Sequence, residues 1–330
     1  MKRVFALLAA TLLVCGAAVS SSSLRHSRTV PSAAAARDYV RIGDWARAHG
    51  VQLHWLKREE SLQLVNSSAR ITLTVDAQEA DVNGVQVRLL FPAVYRDAQI
   101  CLSQLDLRTT LDPILAPPAS RSAAPIKTIC LDPGHGGRDP GNHAGPNQEK
   151  KYTLLLAQEL RGQLVKAGFK VFLTRNSDEF IELSDRPDIA KRRGADLFIS
   201  LHFNAFPQSG VRGAEVYCLT PAGAPSTNAR GEGGGSGSFP GNRFNSKNML
   251  LAYDVQKSLV RSLGVEDRGV HRARFAVLRD AAMPAVLIEG GFMSHPTEGR
   301  KIFDPAYRRE MARAITEGIL NYKRLTEGGG

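Results

Sequence analysis

Two histidines and one glutamate follow apolar runs and a second glutamate opens a helix, so that a sheet could gather all four on one rim. The run Ile126–Leu131 leads into Asp132-Pro133-Gly134-His135-Gly136-Gly137. Leu197–Leu201 ends at His202, with Asn204 two residues on, and Val286–Ile288 ends at Glu289 ahead of Gly290-Gly291. Glu149 follows the loop 139–148 and opens a helical stretch. In open α/β sheets ligands bind outside the carboxyl ends of the strands, which is where these side chains would stand. Two imidazoles and one carboxylate with a fourth position open make a catalytic zinc centre. That donor set leaves net positive charge on the ion, which can then acidify water and polarise a carbonyl. A second carboxylate nearby can take the water proton and return it to a leaving amine. Glycines around His135 let the turn approach an ion closely, where a Cβ would crowd it.

Such residues need a frame, and the pattern from 126 to 325 supplies one. Strands are expected at Ile126–Leu131, Val171–Leu173, Leu197–Leu201, Ala214–Leu219, Phe275–Leu278 and Ala285–Ile288. Helices are expected at Tyr152–Ala167, where Leu156, Leu160 and Leu164 recur at four-residue spacing before Gly168, and at Leu183–Arg193, Ser246–Leu263 and Ala306–Arg324. The alternation predicts an α/β fold with an open, mostly parallel or mixed sheet flanked by helices. Residues 220–246 are glycine-rich, with Phe239 and Phe244 their only large apolar side chains, and read as a long loop.

Ahead of this region the chain changes character. Lys2 and Arg3, an apolar run to Val19 and small residues after it describe a signal peptide over 1–20. A Ser/Ala-rich linker over 21–37 follows. Residues 38–115 read as a small β-rich domain: a short helix at Ile42–Ala48, then strands at Val51–Trp55, Leu62–Val65 and Ile71–Val75, then a hairpin turning at Asn83-Gly84. A Pro/Ala/Ser linker over 116–125 separates it from the rest.

The 330 residues carry 43 Lys+Arg against 32 Asp+Glu, a formal charge of +11 that suits a polyanionic neighbour. At 43% hydrophobic and 23% charged, the chain is neither disordered nor a multi-span membrane protein. Export argues against a nucleic-acid role. Four cysteines are too few for a disulfide scaffold.

The segments LDPGHGGRDPGN, QEK with Glu149, ADLFISLHFNA and AVLIEGGFMSHPTE resemble, in order, those of the zinc N-acetylmuramoyl-L-alanine amidases. VFLTR, ending at Arg175, is similar to that family's second strand. The resemblance implies His135, Glu149 and His202 as zinc ligands and Glu289 as the catalytic glutamate, general base on the attacking water and then proton donor. It implies peptidoglycan as substrate, cut at the amide joining N-acetylmuramic acid to L-alanine, and a periplasmic or cell-envelope location. Asn204 is expected to line the substrate groove. Residues 38–115 resemble the copper amine oxidase N-terminal-like domain of exported bacterial proteins, on the segments AHG and VNG and the apolar stretch 105–115; the resemblance says nothing about copper here.

Two rival readings remain: a non-catalytic wall-binding protein, and a zinc peptidase cutting within the stem peptide. Some relatives place a helix in the region of residues 220–246 that blocks the zinc site until a partner removes it. That loop lacks the apolar spacing for such a helix, so an open groove is expected, with any protein activator unspecified. Outside the site, Arg175 reads as a solvated or ion-paired strand end. His143, His271 and His295 read as solvated loop histidines, and Lys191-Arg192-Arg193 and Arg308-Arg309 as solvated helix faces. Cys130 and Cys218 read as buried thiols, a disulfide between them being the alternative.

Overall fold

Alternating apolar residues build the sheet strand by strand. The computed structural model describes residues 39–67, 69–117, 125–228 and 237–328. The expected signal segment, the 21–37 linker and residues 118–124 of the second linker lie outside them. The strands, in chain order, are β1 (Tyr39–Arg41), β2 (Gln52–Lys57), β3 (Ser61–Val65), β4 (Arg70–Thr74), β5 (Glu79–Val82), β6 (Val85–Arg88), β7 (Val94–Arg96) and β8 (Gln99–Ser103). They continue with β9 (Thr128–Pro133), β10 (His143–Ala144), β11 (Asn147–Gln148), β12 (Lys170–Leu173), β13 (Leu197–Asn204), β14 (Ala214–Leu219), β15 (Asp267–Ala273) and β16 (Ala285–Phe292).

Eleven of these form one mixed sheet in the order β12-β9-β13-β16-β14-β15-β6-β5-β4-β3-β2. β12, β9, β13 and β16 run parallel, and β14 is antiparallel to β16. β15 then pairs in parallel with both β14 and β6, the latter at Val270↔Val87. From β6 outward the strands form an antiparallel meander. The turn at Asn83-Gly84 has φ of +54° and +79°, the left-handed pair that a two-residue hairpin requires.

Helices α1 (Ile42–Ala48), α2 (Gln104–Asp106), α3 (Asp112–Leu115), α4 (Glu149–Lys166), α5 (Asp185–Arg192), α6 (Asn245–Leu263), α7 (Ala276–Arg279), α8 (Pro296–Phe303) and α9 (Pro305–Glu327) complete the chain. Side-chain alternation splits the core by sheet face. Ile129, Leu131, Leu201, Val216, Val270 and Val87 join α4, α6 and α9 in one cluster that continues under β3–β6. Cys130, Phe198, Tyr217 and Leu287 form a smaller cluster on the other face with Val277 and Ala190 of the short helices. The chain from Asp38 onward is a single compact unit. Strands β2–β6 therefore extend the sheet of the larger region, while β1, β8 and β7 form a separate three-stranded sheet.

Two elements differ from expectation. Phe275–Leu278 is not a strand; Ala276–Arg279 forms a helical turn, and the strand lies earlier, at Asp267–Ala273. The apolar run FAVL is too short to reveal a period, while Asp267, Arg268, His271 and Arg272 disguise a buried strand. The three described cysteines are free and buried. Cys130 and Cys218 belong to clusters on opposite faces of the sheet, which excludes the alternative disulfide.

Candidate functional site

The turn after β9 is bent until His135 adopts φ +62°, a left-handed conformation uncommon for a side chain of this size. Gly134 before it is obligatory, because a Cβ there would lie 2.3 Å from the His202 ring. Gly141 is equally confined: it has φ +67°, and a Cβ would come within 2.6 Å of Glu149 Oε2. Both glycines let backbone close over three side chains that a bulkier loop would separate.

Two buried arginines hold that turn. Arg175 is 1% exposed and donates to the carbonyls of Pro133 (3.0 Å), Gly134 (2.8 Å) and Lys150 (2.8 Å). It is neither solvated nor a simple ion-paired strand end, since its fan of donors ties the β9 turn to the first turn of α4. Arg186 donates to Asp132 Oδ1 at 2.9 Å and to the carbonyls of Pro133 and His135. Asp132 also accepts from the hydroxyls of Thr174 (2.7 Å) and Ser200 (2.8 Å), which completes a buried network beneath the site.

His135, Glu149 and His202 are brought together, with one donor atom of each within 4.8 Å of the others. Glu149 opens α4 and is 1% exposed. Its two carboxylate oxygens lie 3.0 Å from His135 Nε2 and 2.9 Å from His202 Nδ1. Asp139 Oδ2 stands 2.8 Å from His135 Nδ1, orienting the ring from behind. Asn142 and the Phe203 amide supply further donors to Glu149. Burial alone would raise the Glu149 carboxyl, but hydrogen bonds from the two imidazoles and their charge hold it well below the ordinary carboxylate range. Burial opposes the charged form of His135, and Glu149 and Asp139 outweigh it, raising its pKa.

Strand register delivers the fourth residue. Glu289 on β16 is the partner of His202 on β13 and of Glu215 on β14, so the three occupy one row. The β13–β16 register shifts between His202 and Asn204, an irregularity of the kind that re-aims side chains beside active sites. Glu289 and Asn204 line, with the His-Glu-His cluster, a cavity of about 640 Å³. Asn204 donates to Glu215 Oε1 at 3.0 Å, and Glu215 also accepts from Tyr217 (2.9 Å) and Arg268 (3.0 Å). Burial, then the charges of Glu215 and Glu289, push the Tyr217 phenol far up and keep it protonated.

The other three histidines noted in the sequence, His143, His271 and His295, are not part of the cluster. His143 is exposed on the β10–β11 hairpin. His271 is buried rather than solvated, with ring nitrogens 3.2 Å from Thr227 O and 2.9 Å from Arg268 O. His295 is the N-cap of α8, accepting from the amides of Thr297 and Glu298. Lys191-Arg192-Arg193 is exposed as expected, but Arg308 is buried and donates to Ile302 O. Sequence reasoning missed Asp139, Glu215 and Arg186. Glu215 had a signal, being a lone acid two residues from Tyr217 in an apolar strand; Arg186 had none.

A donor set of two imidazoles and one buried carboxylate fits a divalent cation of zinc's preferences. The profile of the N-acetylmuramoyl-L-alanine amidase family matches residues 129–321. The amidase AmiC of Neisseria meningitidis is 38% identical over 217 residues, 59% of this chain, which spans about half (52%) of that relative's length. AmiA of Escherichia coli is 33% identical over 62% of this chain and 79% of its own. Among solved structures, an N-acetylmuramoyl-L-alanine amidase of Clostridium difficile 630 superposes with a TM-score of 0.51 at 31% identity, covering 60% of this chain and 97% of its own. AmiC2 of Nostoc punctiforme gives 0.51 at 30% identity over 61% and 98%.

Proposed function

The chain belongs to the N-acetylmuramoyl-L-alanine amidase family, and from that premise we propose that it hydrolyses the amide between N-acetylmuramic acid and L-alanine in peptidoglycan. The observation that carries the reading is the row His202–Glu289 beside the buried Glu149, all opening on one cavity. His135, Glu149 and His202 hold the metal, a zinc ion that when bound supplies Lewis acidity towards the scissile carbonyl. Glu289 takes a proton from the attacking water at its carboxylate and gives it to the L-alanine nitrogen as the amide breaks. Glu215 and Asn204, bonded to each other, shape the floor beside Glu289. Asp139 keeps the His135 ring in place.

Residues 126–325 constitute the catalytic region in this reading, and 38–115 an accessory region. The protein works outside the cytoplasm after loss of 1–20; among the described residues no helix is long and apolar enough to cross a membrane. The groove carries no self-inhibiting helix from 220–246, and a large rise in activity on deleting that loop would count against this.

The test is purified protein on peptidoglycan, with zinc or after chelation, beside Glu289→Ala, read by mass spectrometry of released fragments. Intact stem peptides with a free L-alanine amino terminus are expected only from zinc-loaded, unsubstituted protein. Cuts within the stem would establish a peptidase instead, and no release by zinc-loaded protein would leave a wall binder.

A further inference from the structure

The cavity that holds the His-Glu-His cluster does not end with the family's residues: Arg88 lines it too, from β6, forty residues before the family match begins at 129. Register explains how it arrives there. On the face that carries His202 and Glu289, Leu287 of β16 stands opposite Tyr217 of β14, and Tyr217 opposite His271 of β15. β15 in turn pairs with β6 at Val270↔Val87, one residue before His271 and Arg88. All four of these residues line the one cavity. The sheet therefore continues the groove floor across the joint between the two regions. That joint is firm. Asp267 accepts from the Gln86 amide at 2.7 Å, and Gly269 packs so close that a Cβ would lie 2.9 Å from Gln86 O.

Three arginines line the groove. Arg186 is spent on Asp132 and backbone carbonyls. Arg268 is bound to Glu215 through Nε and lies over the Phe292 ring. Among the described residues Arg88 is paired only with Glu79, whose side chain is half exposed (52%), and its Nε is buried with no hydrogen-bond partner. An exposed pair of this kind is weak and easily exchanged for another carboxylate.

Resting on the amidase reading above, we infer that Arg88 recognises a carboxylate of the stem peptide, three or four residues from the bond that is cut. Three strand spacings separate β16 from β6, about 14 Å at ~4.8 Å each. An extended peptide covers that distance in about four residues at ~3.4 Å each. The N-terminal region thus completes the substrate groove and sets its preference for longer, acidic stems.

The experiment compares hydrolysis of N-acetylmuramoyl dipeptide and N-acetylmuramoyl tetrapeptide by the full zinc-loaded chain and by Arg88→Ala and Arg88→Lys. The unsubstituted chain is expected to favour the tetrapeptide. Arg88→Ala should cut that preference about ten-fold, the scale of one charge-assisted hydrogen bond, through KM rather than kcat. Arg88→Lys should restore part of it. Equal losses on both substrates would reduce Arg88 to a structural residue, and an unchanged preference would overturn the assignment outright. Hydrolysis of neither substrate by the unsubstituted chain would instead refute the amidase reading, and this inference with it.

Discussion

The two ends of the eleven-stranded sheet solve the same packing problem with opposite materials. At the β9–β13–β16 end both faces are covered, and charge is buried deliberately: Asp132, Arg175, Arg186 and Glu149 are each no more than 2% exposed. Every one of them is tied to the turn that carries His135 or to the cluster itself. At the β3–β6 end Leu62, Leu64, Ile71, Leu73, Val82 and Val87 face one core, while Gln63, Thr72, Asp81 and Gln86 on the other face are half-buried. A half-solvated antiparallel sheet needs only alternation to be stable. A site that aims four side chains at one point needs a scaffold of directed bonds, which apolar packing cannot provide. Around the site polar burial serves the chemistry, whereas elsewhere it ties elements together, as where the buried Asp106 accepts from the Leu90 and Phe91 amides.

Breaking one partner at each end should sharpen that contrast. Asp132→Ala strands the buried Arg186 and should cost about 3–5 kcal/mol, visible as a lower denaturation midpoint together with lost zinc retention. Leu64→Ala at the other end opens an apolar cavity and should cost about 2–5 kcal/mol. It should leave zinc content untouched. If it removed zinc as readily as Asp132→Ala does, the division of labour would be wrong.

A smaller effect is expected at the helix that touches both ends. Tyr253 of α6 donates to Val82 O in β5, and the neighbouring Asp254 accepts from Asn321 at 2.5 Å. Burial raises Asp254 to about 7 from 3.8, against the partial relief of Asn321. The folded state therefore binds the extra proton between those values. Its contribution is present below about 3.8 and is lost as pH rises through about 7. Asp254→Asn should flatten that decline in a series of melting curves, and an unaltered slope would show that the carboxyl is not the source. The smallest change belongs to the exposed edge: Lys57→Ala removes a surface pair with Glu60 and should shift stability by less than about 0.5 kcal/mol.

Much of this was legible along the chain because it is written in short range. The Asn83-Gly84 hairpin, the four-residue leucine spacing of α4 and the glycines about His135 are local signals, and each leads to the element expected from it. His135, His202 and Glu289 were legible as polar residues following apolar runs, and Glu149 as the acid that opens a helix. Asp267–Ala273 was not, because its charges find partners far away: Arg268 with Glu215, and Arg272 with the Thr109 carbonyl. Period analysis counts charge as exposure and cannot see a partner.

What the sequence by itself determined is the inventory: which side chains could bind a metal or move a proton, and which strands end with them. Only the tertiary structure decided their company. Parallel register set Glu289 beside His202, two buried arginines locked the turn beneath them, and one strand pair carried Arg88 of the N-terminal region into the same cavity. The reason is physical. Backbone propensity acts over a few residues, whereas strand pairing and buried charge compensation join positions that the chain keeps far apart.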